Sequence, residues 1–302
     1  MNDFFKEVSN NNIGKVVRDV FISKYTTYKV GGLVRAIIYP KNIDMLVLLC
    51  KLIKKYNIKY KVLGNGSNLL FSDKTYEGVL IKLDEFNKIE FINNKVICGS
   101  GVPLMKVARE AIKKGLAGLE FATGIPGTIG GAIYMNAGAY KSDMGYITRS
   151  VKVLTDDLKI ITLTNEEMNF HYRSSFLQEH KNYICLEATL KLEHGDKSIL
   201  EQVVKDRKER RTKTQPLNYP SAGSVFRNPD NEHPAGKLIE DLGLKGLTKG
   251  GAEISTVHAN FIINKNQASA KDIHDLILFV KDAVKEKYNI DLKVEQEFVN
   301  WE

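Results

Sequence analysis

The spacing of apolar residues predicts helices in several segments of the chain. Residues 42–56, for example, place Ile43, Leu46, Val47, Cys50 and Ile53 on one helical face. A second helix would have Pro103 at its first position and Gly115 just past its end, which is the usual asymmetry of helix start and stop. The other helical segments are an N-terminal arm within residues 1–24, Ser198–Thr212, Ala235–Leu242 and 269–288, where Ser269 and Asp272 form a variant of the capping box.

Short apolar or alternating runs predict strands between these helices. The predicted strands are Val34–Tyr39, Lys59–Leu63, Leu69–Phe71, Val79–Leu83, Lys88–Ile92, Lys95–Cys98, Ser150–Thr155, Lys159–Leu163, Tyr183–Leu192, Asn260–Asn264 and Leu292–Val299. Strands and helices alternate irregularly, which favours an α+β fold over a doubly wound sheet. The composition changes near residue 194, where a charged helix follows a turn, so we place a domain boundary there. A length of 302 residues suits two domains, or one large domain with an insertion.

The stretch from Gly115 to Tyr140 contains seven of the 23 glycines and a single formal charge, at Glu120. A solvated loop would carry more charge, and a core strand would not carry glycine at 124, 127, 130 and 131. Because glycine lacks a Cβ, a ligand can lie directly on such a backbone, and consecutive N–H groups can converge on an anion. The pattern indicates a surface for a flat or phosphate-bearing ligand. A tight apolar turn packed in the core is the alternative.

A second glycine-bearing loop, Gly64-Asn-Gly-Ser-Asn68, follows a predicted strand, as phosphate-binding loops often do. No third glycine follows and no helix opens after it, so it is not a dinucleotide fingerprint. Taken alone, the loop is equally compatible with a hairpin turn.

Composition narrows the class of protein. The longest apolar run, Met45 to Cys50, is far too short to span a bilayer, and the N-terminus lacks the pattern of a signal peptide. The cysteines, Cys50, Cys98 and Cys185, are widely spaced, which fits neither a disulfide framework nor a metal site. We therefore expect a cytoplasmic protein without a metal. The net charge of +8 favours anionic partners. Because the lysines are dispersed among acids, a phosphorylated small ligand is favoured over a nucleic acid.

Three polar residues differ from their local patterns. Arg173 lies between aromatic residues, Ser224 lies among glycine and apolar residues, and Glu297 lies in the C-terminal strand. Each has an ordinary structural interpretation, namely a surface ion pair, a turn at a strand end and the solvated side of an edge strand.

Taken together, seven blocks of the chain resemble a known family in the same order. They are Thr26–Gly32, Val62–Leu70, Gly115–Tyr140, Tyr172–Ser174, Ser221–Pro229, Gly250–Asn264 and Glu295–Val299. They look like blocks of the UDP-N-acetylenolpyruvoylglucosamine reductases, also called UDP-N-acetylmuramate dehydrogenases, and span nearly the whole chain. The resemblance implies a two-lobed FAD-binding domain of the vanillyl-alcohol-oxidase type at residues 25–194, with lobes of about 25–83 and 84–194. A smaller α+β substrate domain would follow at 195–302.

The resemblance also implies a reaction and a set of site residues. NADPH would reduce FAD, which would reduce UDP-N-acetylglucosamine enolpyruvate to UDP-N-acetylmuramate for peptidoglycan synthesis. Arg173 would stabilise the developing enolate, Ser224 would donate the proton and Glu297, in preference to Glu295, would act by polarisation. The cofactor would contact Gly64, Asn65, Gly66, Ser67, Asn68, Thr123, Gly124, Ile125, Pro126, Gly127, Gly130, Gly131 and Ala132.

Basic residues are needed for the phosphates of both substrates. Candidates are Arg211, Lys213, Arg227 and Lys237, with Asn228 as a polar contact. The segment from 225 to 300 lacks a long insertion, so the chain resembles the shorter type of the family, without an added substrate loop. We expect a monomer.

Three other functions remain open from the sequence. They are another FAD enzyme that oxidises a sugar with oxygen, a non-catalytic nucleotide-sugar-binding protein and a basic RNA-binding protein. The Arg173 and Ser224 blocks argue against the first, because an oxidase needs a base instead of a proton donor.

Overall fold

The structure, a computed structural model, describes residues 1–230 and 232–302. In this part of the chain the helices are α1 (Asn2–Asn10), α2 (Ile43–Lys55), α3 (Leu104–Lys113), α4 (Ile129–Tyr134), α5 (Met144–Ile147), α6 (Phe176–Glu179), α7 (Lys197–Thr214), α8 (Ala235–Asp241) and α9 (Ala270–Tyr288). Short 3-10 turns lie at Ile22–Lys24 and Glu120–Gly124.

The strands of the described residues are mostly short. They are β1 (Gly14–Phe21), β2 (Leu33–Pro40), β3 (Lys59–Val62), β4 (Leu69–Phe71), β5 (Tyr76–Ile81), β6 (Ile89–Ile92), β7 (Lys95–Gly99), β8 (Leu116–Ala117), β9 (Gly138–Ala139), β10 (Ser142–Asp143), β11 (Thr148–Leu154), β12 (Ile160–Thr164), β13 (Ile184–Lys191), β14 (Glu193–His194), β15 (Thr248–Lys249), β16 (Ala252–Ile254), β17 (Ile262–Asn264) and β18 (Glu297–Val299). This mixture confirms the predicted α+β class.

The chain forms two compact units, each built from more than one segment. Unit 1 comprises Met1–Arg18, Ala36–Asn65 and Glu77–Lys208, and unit 2 comprises Asp19–Arg35, Gly66–Tyr76 and Glu209–Glu302. The sequence pattern suggested contiguous domains, at 25–194 and 195–302. The units differ from these contiguous domains because two short segments, 19–35 and 66–76, belong with the C-terminal part of the chain.

Two larger sheets organise the first two thirds of the chain. One has the order β1-β2-β5-β3, with β3 and β5 parallel. The other, β12-β11-β13-β7-β6, is antiparallel throughout, and its β11–β12 hairpin contains the strands predicted at Ser150–Thr155 and Lys159–Leu163. Helices α3 and α4 pack with this sheet in one apolar core that includes Val107, Ala132 and Ile133.

Unit 2 has its own core. Helix α9 buries Ile273, Ile277 and Val284 with residues of α8 and of the three-stranded sheet β15-β16-β17. Strand β18 pairs in parallel with β4, so that Glu297 lies opposite Leu69. The sequence separation of this pair explains why the chain enters unit 2 more than once.

Three element predictions need correction. Residues 14–21 are strand β1 and not part of a helical arm, because Val16, Val17 and Val20 lie in a segment that pairs beside β2. Helix α3 begins at Leu104, and Pro103 is its N-cap. The last strand covers 297–299, and before it Val294 makes only an isolated bridge to Phe226.

None of the helices in the described ranges is long and apolar enough to cross a lipid bilayer.

Candidate functional site

The loop Gly64–Asn68 joins strands that belong to different sheets. Strand β3 pairs with β5, whereas β4 pairs with β18, so the loop is not the hairpin turn that remained open from the sequence. Gly66 has φ +61°, and a Cβ on it would lie 2.4 Å from the carbonyl oxygen of Tyr25. Only glycine meets both conditions at this position.

Several backbone N–H groups of this loop are not used in hydrogen bonds within the described residues. The N–H groups of Asn65, Gly66 and Ser67 donate to no acceptor within residues 1–230 and 232–302. The carbonyl of Gly64 accepts from Nζ of Lys82 at 2.9 Å, and Lys82 is only 8% exposed. Nζ of Lys82 also pairs with Oδ1 of Asp84 at 3.2 Å, so the feature of this loop that is typical of an anion-binding loop is its unsatisfied N–H groups.

Within unit 1, the glycine-rich stretch lies directly against the start of this loop. A Cβ on Gly64 would come within 2.7 Å of Oγ1 of Thr128. The Nδ2 group of Asn65 donates to the carbonyl of Pro126 at 3.0 Å. The structure therefore brings together two of the segments that the sequence assigned to one ligand.

The sequence suggested that N–H groups of the glycine-rich stretch converge on an anion. At the start of helix α4 these groups instead donate to acceptors within the protein. The N–H groups of Ile129 and Gly130 donate to the carbonyls of Val102 and Ser100, and that of Gly131 donates to Oγ1 of Thr128. These donors are used for packing α4 against the strand end at residues 100–102. The glycine at 130 is needed for this approach, because its Cβ would lie 3.0 Å from Cβ of Ser100.

One polar atom in this region has no partner. Oγ of Ser100 is buried and makes no hydrogen bond with any described residue. Leaving a buried hydroxyl unsatisfied costs about 1–3 kcal/mol, so its position beside Gly130 indicates a site for a ligand group.

The other predicted cofactor contacts divide by exposure. Ala132 is buried in the core of unit 1, whereas Thr123 is partly exposed and its hydroxyl donates to the carbonyl of Glu120. Gly124, Ile125, Pro126, Gly127, Gly130 and Gly131 are at least partly exposed and form the accessible surface of the stretch.

Arg173 lies in a tight turn of unit 1. His171 and Ser174 exchange two backbone hydrogen bonds, of 3.1 and 3.0 Å, and Arg173 itself has φ +54°. Its Nη2 group donates to the carbonyl of Gly138 at 2.7 Å, and its guanidinium lies 5.0 Å from the ring of Tyr172. A left-handed arginine costs about 1–3 kcal/mol and is typical of functional sites. The partly exposed guanidinium is therefore held in a defined direction.

Ser224 lies in unit 2, after Gly223, which has φ +76°. The buried Gln296 side chain approaches the carbonyls of this segment, 3.3 Å from Ala222 O and 3.5 Å from Ser224 O. The hydroxyl of Ser224 is partly exposed and has no partner in the part of the chain that the structure describes. It is free to donate to a ligand.

Glu297 starts strand β18 in the same unit. Its N–H donates to the carbonyl of Asn68 at 2.9 Å, and the Nδ2 group of Asn68 donates to the carbonyl of Glu295 at 3.1 Å. Next to Glu297, Gln296 is 4% exposed and accepts from the Tyr28 hydroxyl at 3.0 Å. Unit 2 thus brings the Ser224 segment and the Glu297 strand together through Gln296, while Arg173 belongs to unit 1.

The residues proposed to bind phosphate differ in whether their side chains already have partners within the protein. Nε of Arg227 is buried without a partner among the described residues. Asn228 uses its side chain to accept from the N–H of Ala235, at the start of α8. Lys237 pairs with Asp241 one turn later, and Arg211, on α7, is half-buried. Arg227 is the candidate that most needs an anion.

Four residues with evident roles were missed by the sequence interpretation. They are Ser100, Lys82, Asn136 and Gln296, and each is less than 10% exposed. Lys82 and Asn136 interrupt apolar runs, which is a detectable signal. Ser100 and Gln296 have no local signal, because their surroundings are set by distant segments.

The three cysteines are buried, and their thiols are not activated for reaction. Burial raises the pKa of the Cys50 and Cys185 thiols to about 12, and it raises the pKa of Cys98 as well. The thiols therefore stay protonated at neutral pH, which suits packing and not nucleophilic attack.

Comparison with sequence families first defines the class of protein. Residues 34–164 match the profile of an FAD binding domain, and residues 215–299 match that of the UDP-N-acetylenolpyruvoylglucosamine reductase C-terminal domain. Together, these two matches define the class as a flavin-dependent oxidoreductase that binds FAD.

Full-length relatives then identify the family. The chain is 45% identical over 300 residues to the UDP-N-acetylenolpyruvoylglucosamine reductase of Bacillus subtilis, covering 99% of both chains. It is 45% identical over 295 residues to that of Anoxybacillus flavithermus, covering 97% of both. The crystal structure of the Thermus caldophilus reductase matches with a TM-score of 0.80 and 35% identity, covering 94% of this chain and 99% of that chain. The chain belongs to the UDP-N-acetylenolpyruvoylglucosamine reductase family.

The residues in unit 1 fit the cofactor of this class. FAD presents a diphosphate and a flat ring system, and the segments Gly64–Asn65 and Gly124–Gly131 present accessible, closely packed backbone with few side chains. The unsatisfied Ser100 hydroxyl adds a polar group for which such a ligand would provide a partner. The predicted recognition of the family, the fold class and the FAD cofactor are confirmed.

Proposed function

We propose that this protein reduces UDP-N-acetylglucosamine enolpyruvate to UDP-N-acetylmuramate, with NADPH as the electron donor and FAD as the cofactor. The observation that carries this proposal is the 45% identity to a reductase of that name over 99% of both chains. Partial similarity could be confined to the FAD-binding domain, which many enzymes share. Here it extends through the segments that contain Arg173, Ser224 and Glu297.

FAD, when bound, supplies the two-electron chemistry that links NADPH to C3 of the enolpyruvyl group. The chain provides the position of the cofactor. We propose that Gly64–Asn68 and Thr123–Ala132 hold it, with the free N–H groups of Asn65 to Ser67 directed at its diphosphate. Lys82, which is paired with Asp84, holds the carbonyl of Gly64 at the start of this loop. The boundaries 1–24, 25–194 and 195–302 remain our proposal for the arm, the cofactor domain and the substrate domain.

Arg173 would bind the carboxylate of the enolpyruvyl group. Reduction at C3 places negative charge at C2, delocalised into that carboxylate, and a fixed guanidinium stabilises this charge without reorganisation. The hydrogen bond from Nη2 to the Gly138 carbonyl supports this role, because it holds the guanidinium in a defined direction before a ligand arrives.

Ser224 would donate the proton to C2, and Glu297 would polarise the same centre. The free hydroxyl of Ser224 supports the first assignment. The packing of Gln296 against the Ser224 segment supports the second, because it places adjacent backbone of both residues in one part of unit 2. A serine is a weak acid, so its proton must be replaced from a relay.

For the diphosphate of the substrate we propose Arg227 first, because its buried Nε has no partner among residues 1–230 and 232–302. Arg211, Asn228 and Lys237 are further contacts of the substrate domain. We also propose that the protein is a cytoplasmic monomer of the shorter type of the family, and that nucleic acid is not a partner.

A turnover assay tests the proposed reaction. The purified protein is incubated with NADPH and UDP-N-acetylglucosamine enolpyruvate, and the sugar nucleotide is analysed by mass spectrometry. We expect a product heavier by two hydrogen atoms, formed in a one-to-one ratio with NADPH consumed. Parallel reactions with NADH, and without the enolpyruvyl substrate, show the donor preference and any oxidase activity. Consumption of oxygen with unchanged sugar nucleotide would refute the proposal and favour another FAD enzyme.

A further inference from the structure

Arg173 is held by groups that surround the C-terminal end of helix α4. The carbonyl of Tyr134 accepts from Oγ of Ser175 at 2.8 Å and from Nε2 of Gln178 at 3.0 Å. Gln178 also donates to the backbone carbonyl of Arg173 at 2.9 Å. The segment that contains Arg173 is therefore attached to the end of α4 through backbone groups that the helix leaves unpaired.

Asn136 lies at the centre of this attachment. Its Nδ2 group donates to the carbonyl of His171 at 2.8 Å, and its Oδ1 atom accepts from the N–H of Gly145 at 2.8 Å. The residue is 2% exposed. One amide thus joins the Arg173 turn to the start of helix α5, and it does so with both of its polar atoms.

The helix end itself does not explain why this residue is asparagine. Asn136 has φ +42°, and the N–H groups of Asn136 and Ala137 donate to the carbonyls of Ile133 and Ala132. This is the Schellman arrangement, in which glycine is the usual residue at the left-handed position. Glycine would end α4 equally well, so the amide side chain must serve another purpose.

The segment after Asn136 fixes the acceptor of the Arg173 side chain. Strands β9 and β10 form a hairpin whose two turn residues, Tyr140 and Lys141, both have positive φ, as a type I′ turn requires. A Cβ on Gly138 would lie 2.5 Å from Cβ of Asp143, so this strand position accepts only glycine. Its carbonyl, which accepts from Arg173 Nη2, is thereby held in place.

We infer that Asn136 is a positioning residue for Arg173: its amide holds the His171–Ser174 turn so that the guanidinium meets the carboxylate of the substrate. This inference rests on the proposed function of Arg173. Asn136 is buried and both of its polar side-chain atoms are engaged with backbone, so it would act through Arg173 and not by contact with the substrate. Misplacement of such a group by about 1 Å can reduce a rate on the order of 100-fold.

The test uses Asn136→Gly, which keeps the left-handed helix end and removes both side-chain hydrogen bonds. The matched control is Asn169→Gly, because Asn169 also has positive φ, of 46°, and precedes the same turn, but is exposed and makes no side-chain hydrogen bond with described residues. Stopped-flow absorbance of the FAD-loaded protein follows flavin reduction by NADPH and reoxidation by the enolpyruvyl substrate separately.

We expect Asn136→Gly to slow reoxidation about 10- to 100-fold and to leave reduction within about twofold of the parent. Asn169→Gly should leave both steps unchanged. A general structural defect would slow both steps or lower the flavin content, and that result would overturn the inference. If Asn136→Gly does not fold, Asn136→Asp keeps the acceptor for Gly145 and removes the donor to His171, and the same selective loss is expected from it.

A double-variant cycle with Arg173→Lys separates this inference from the function on which it rests. If Asn136 acts through Arg173, adding Asn136→Gly to Arg173→Lys should have little further effect on reoxidation. Additive effects would overturn the inference and leave the role of Arg173 intact. Normal reoxidation in Arg173→Lys alone would instead refute the proposed role of Arg173.

Discussion

At the scale of single residues, Ser224 has the role that its surroundings explain least. Its hydroxyl is partly exposed and free of partners in the described chain, but no neighbouring acid in its segment makes it more acidic. Its assignment depends on the resemblance of the Ser221–Pro229 segment to the family and on the packing of Gln296 beside it. A kinetic test of this residue is therefore decisive for the proton step.

Replacing Ser224 by alanine should separate the two half-reactions. We expect Ser224→Ala to bind FAD and to be reduced by NADPH at the normal rate, because the hydroxyl is not needed for either. Reoxidation by the enolpyruvyl substrate should slow about 10²- to 10⁴-fold, the usual contribution of a positioned proton donor. Stopped-flow absorbance measures both steps, with Ser221→Ala as a control in the same segment. A near-normal second step would remove Ser224 from the mechanism.

Asn260 offers a stability test in the same part of unit 2. Its side chain accepts from the N–H of Phe226 at 2.9 Å and donates to the carbonyl of Phe226 at 2.8 Å. Asn260→Ala leaves both buried backbone groups unpaired and should lower the free energy of unfolding by about 2–3 kcal/mol. Denaturant titration of Asn260→Ala and of Asn266→Ala, an exposed asparagine nearby, measures the difference. Equal stabilities would mean that water replaces the lost bonds.

At the scale of elements, helix α9 shows where the sequence is most informative. Ser269 and Asp272 form the predicted capping box, with Ser269 accepting from the Asp272 N–H at 3.1 Å and Asp272 from the Ser269 N–H at 2.9 Å. Asp272 also accepts from the N–H of Gly251. Burial by itself would raise the pKa of this carboxyl, but the hydrogen bonds from Ser269 and Gly251 outweigh it, and the pKa is lowered.

The lowered pKa gives a signed prediction for the stability of unit 2. A depressed pKa means that the ionised carboxylate stabilises the fold above the unfolded pKa of 3.8, and that this contribution is lost as the pH falls through and below that value. Asp272→Asn should therefore cost about 1 kcal/mol at pH 7, and the cost should shrink below pH 4. Thermal melting across this range measures it. A cost that does not change with pH would contradict the assigned role of the carboxylate.

Local patterns and long-range pairing explain which elements were predictable. Helix α9 and the β11–β12 hairpin follow from caps and alternation within a few residues. Strand β1 was assigned to a helical arm, because its pairing beside β2 has no signature in the local sequence. The glycine-rich stretch was found by composition, but the use of its α4 N–H groups was not, since their acceptors, Ser100 and Val102, lie in another part of the chain.

At the scale of the whole molecule, the two units depend on chain segments that are far apart in sequence. Strand β4 lies among residues of unit 1 along the chain but pairs with β18 at the other end of it. The proposed site residues divide accordingly, with Arg173 and the glycine-rich stretch in unit 1 and Ser224, Arg227 and Glu297 in unit 2. The proposed boundary near residue 194 follows the one change in sequence composition, and that change carries no signal for the pairing of β4 with β18.

The net charge of +8 is a second property of the whole chain. It is consistent with two substrates that carry phosphate groups, but it does not identify their ligands. The phosphate-binding groups are indicated by individual residues. These are Arg227, whose Nε has no partner, and the Asn65–Ser67 segment, whose N–H groups are unused within the described chain.

The most direct test of the central claim is the visible absorption spectrum of the purified protein without oxygen. We expect a flavin spectrum that bleaches when NADPH is added and returns when UDP-N-acetylglucosamine enolpyruvate follows. A flavin that bleaches and does not return would contradict the proposed acceptor while keeping the cofactor. A colourless protein that FAD cannot reconstitute would contradict the assignment of the glycine-rich segments, and with it the proposed function.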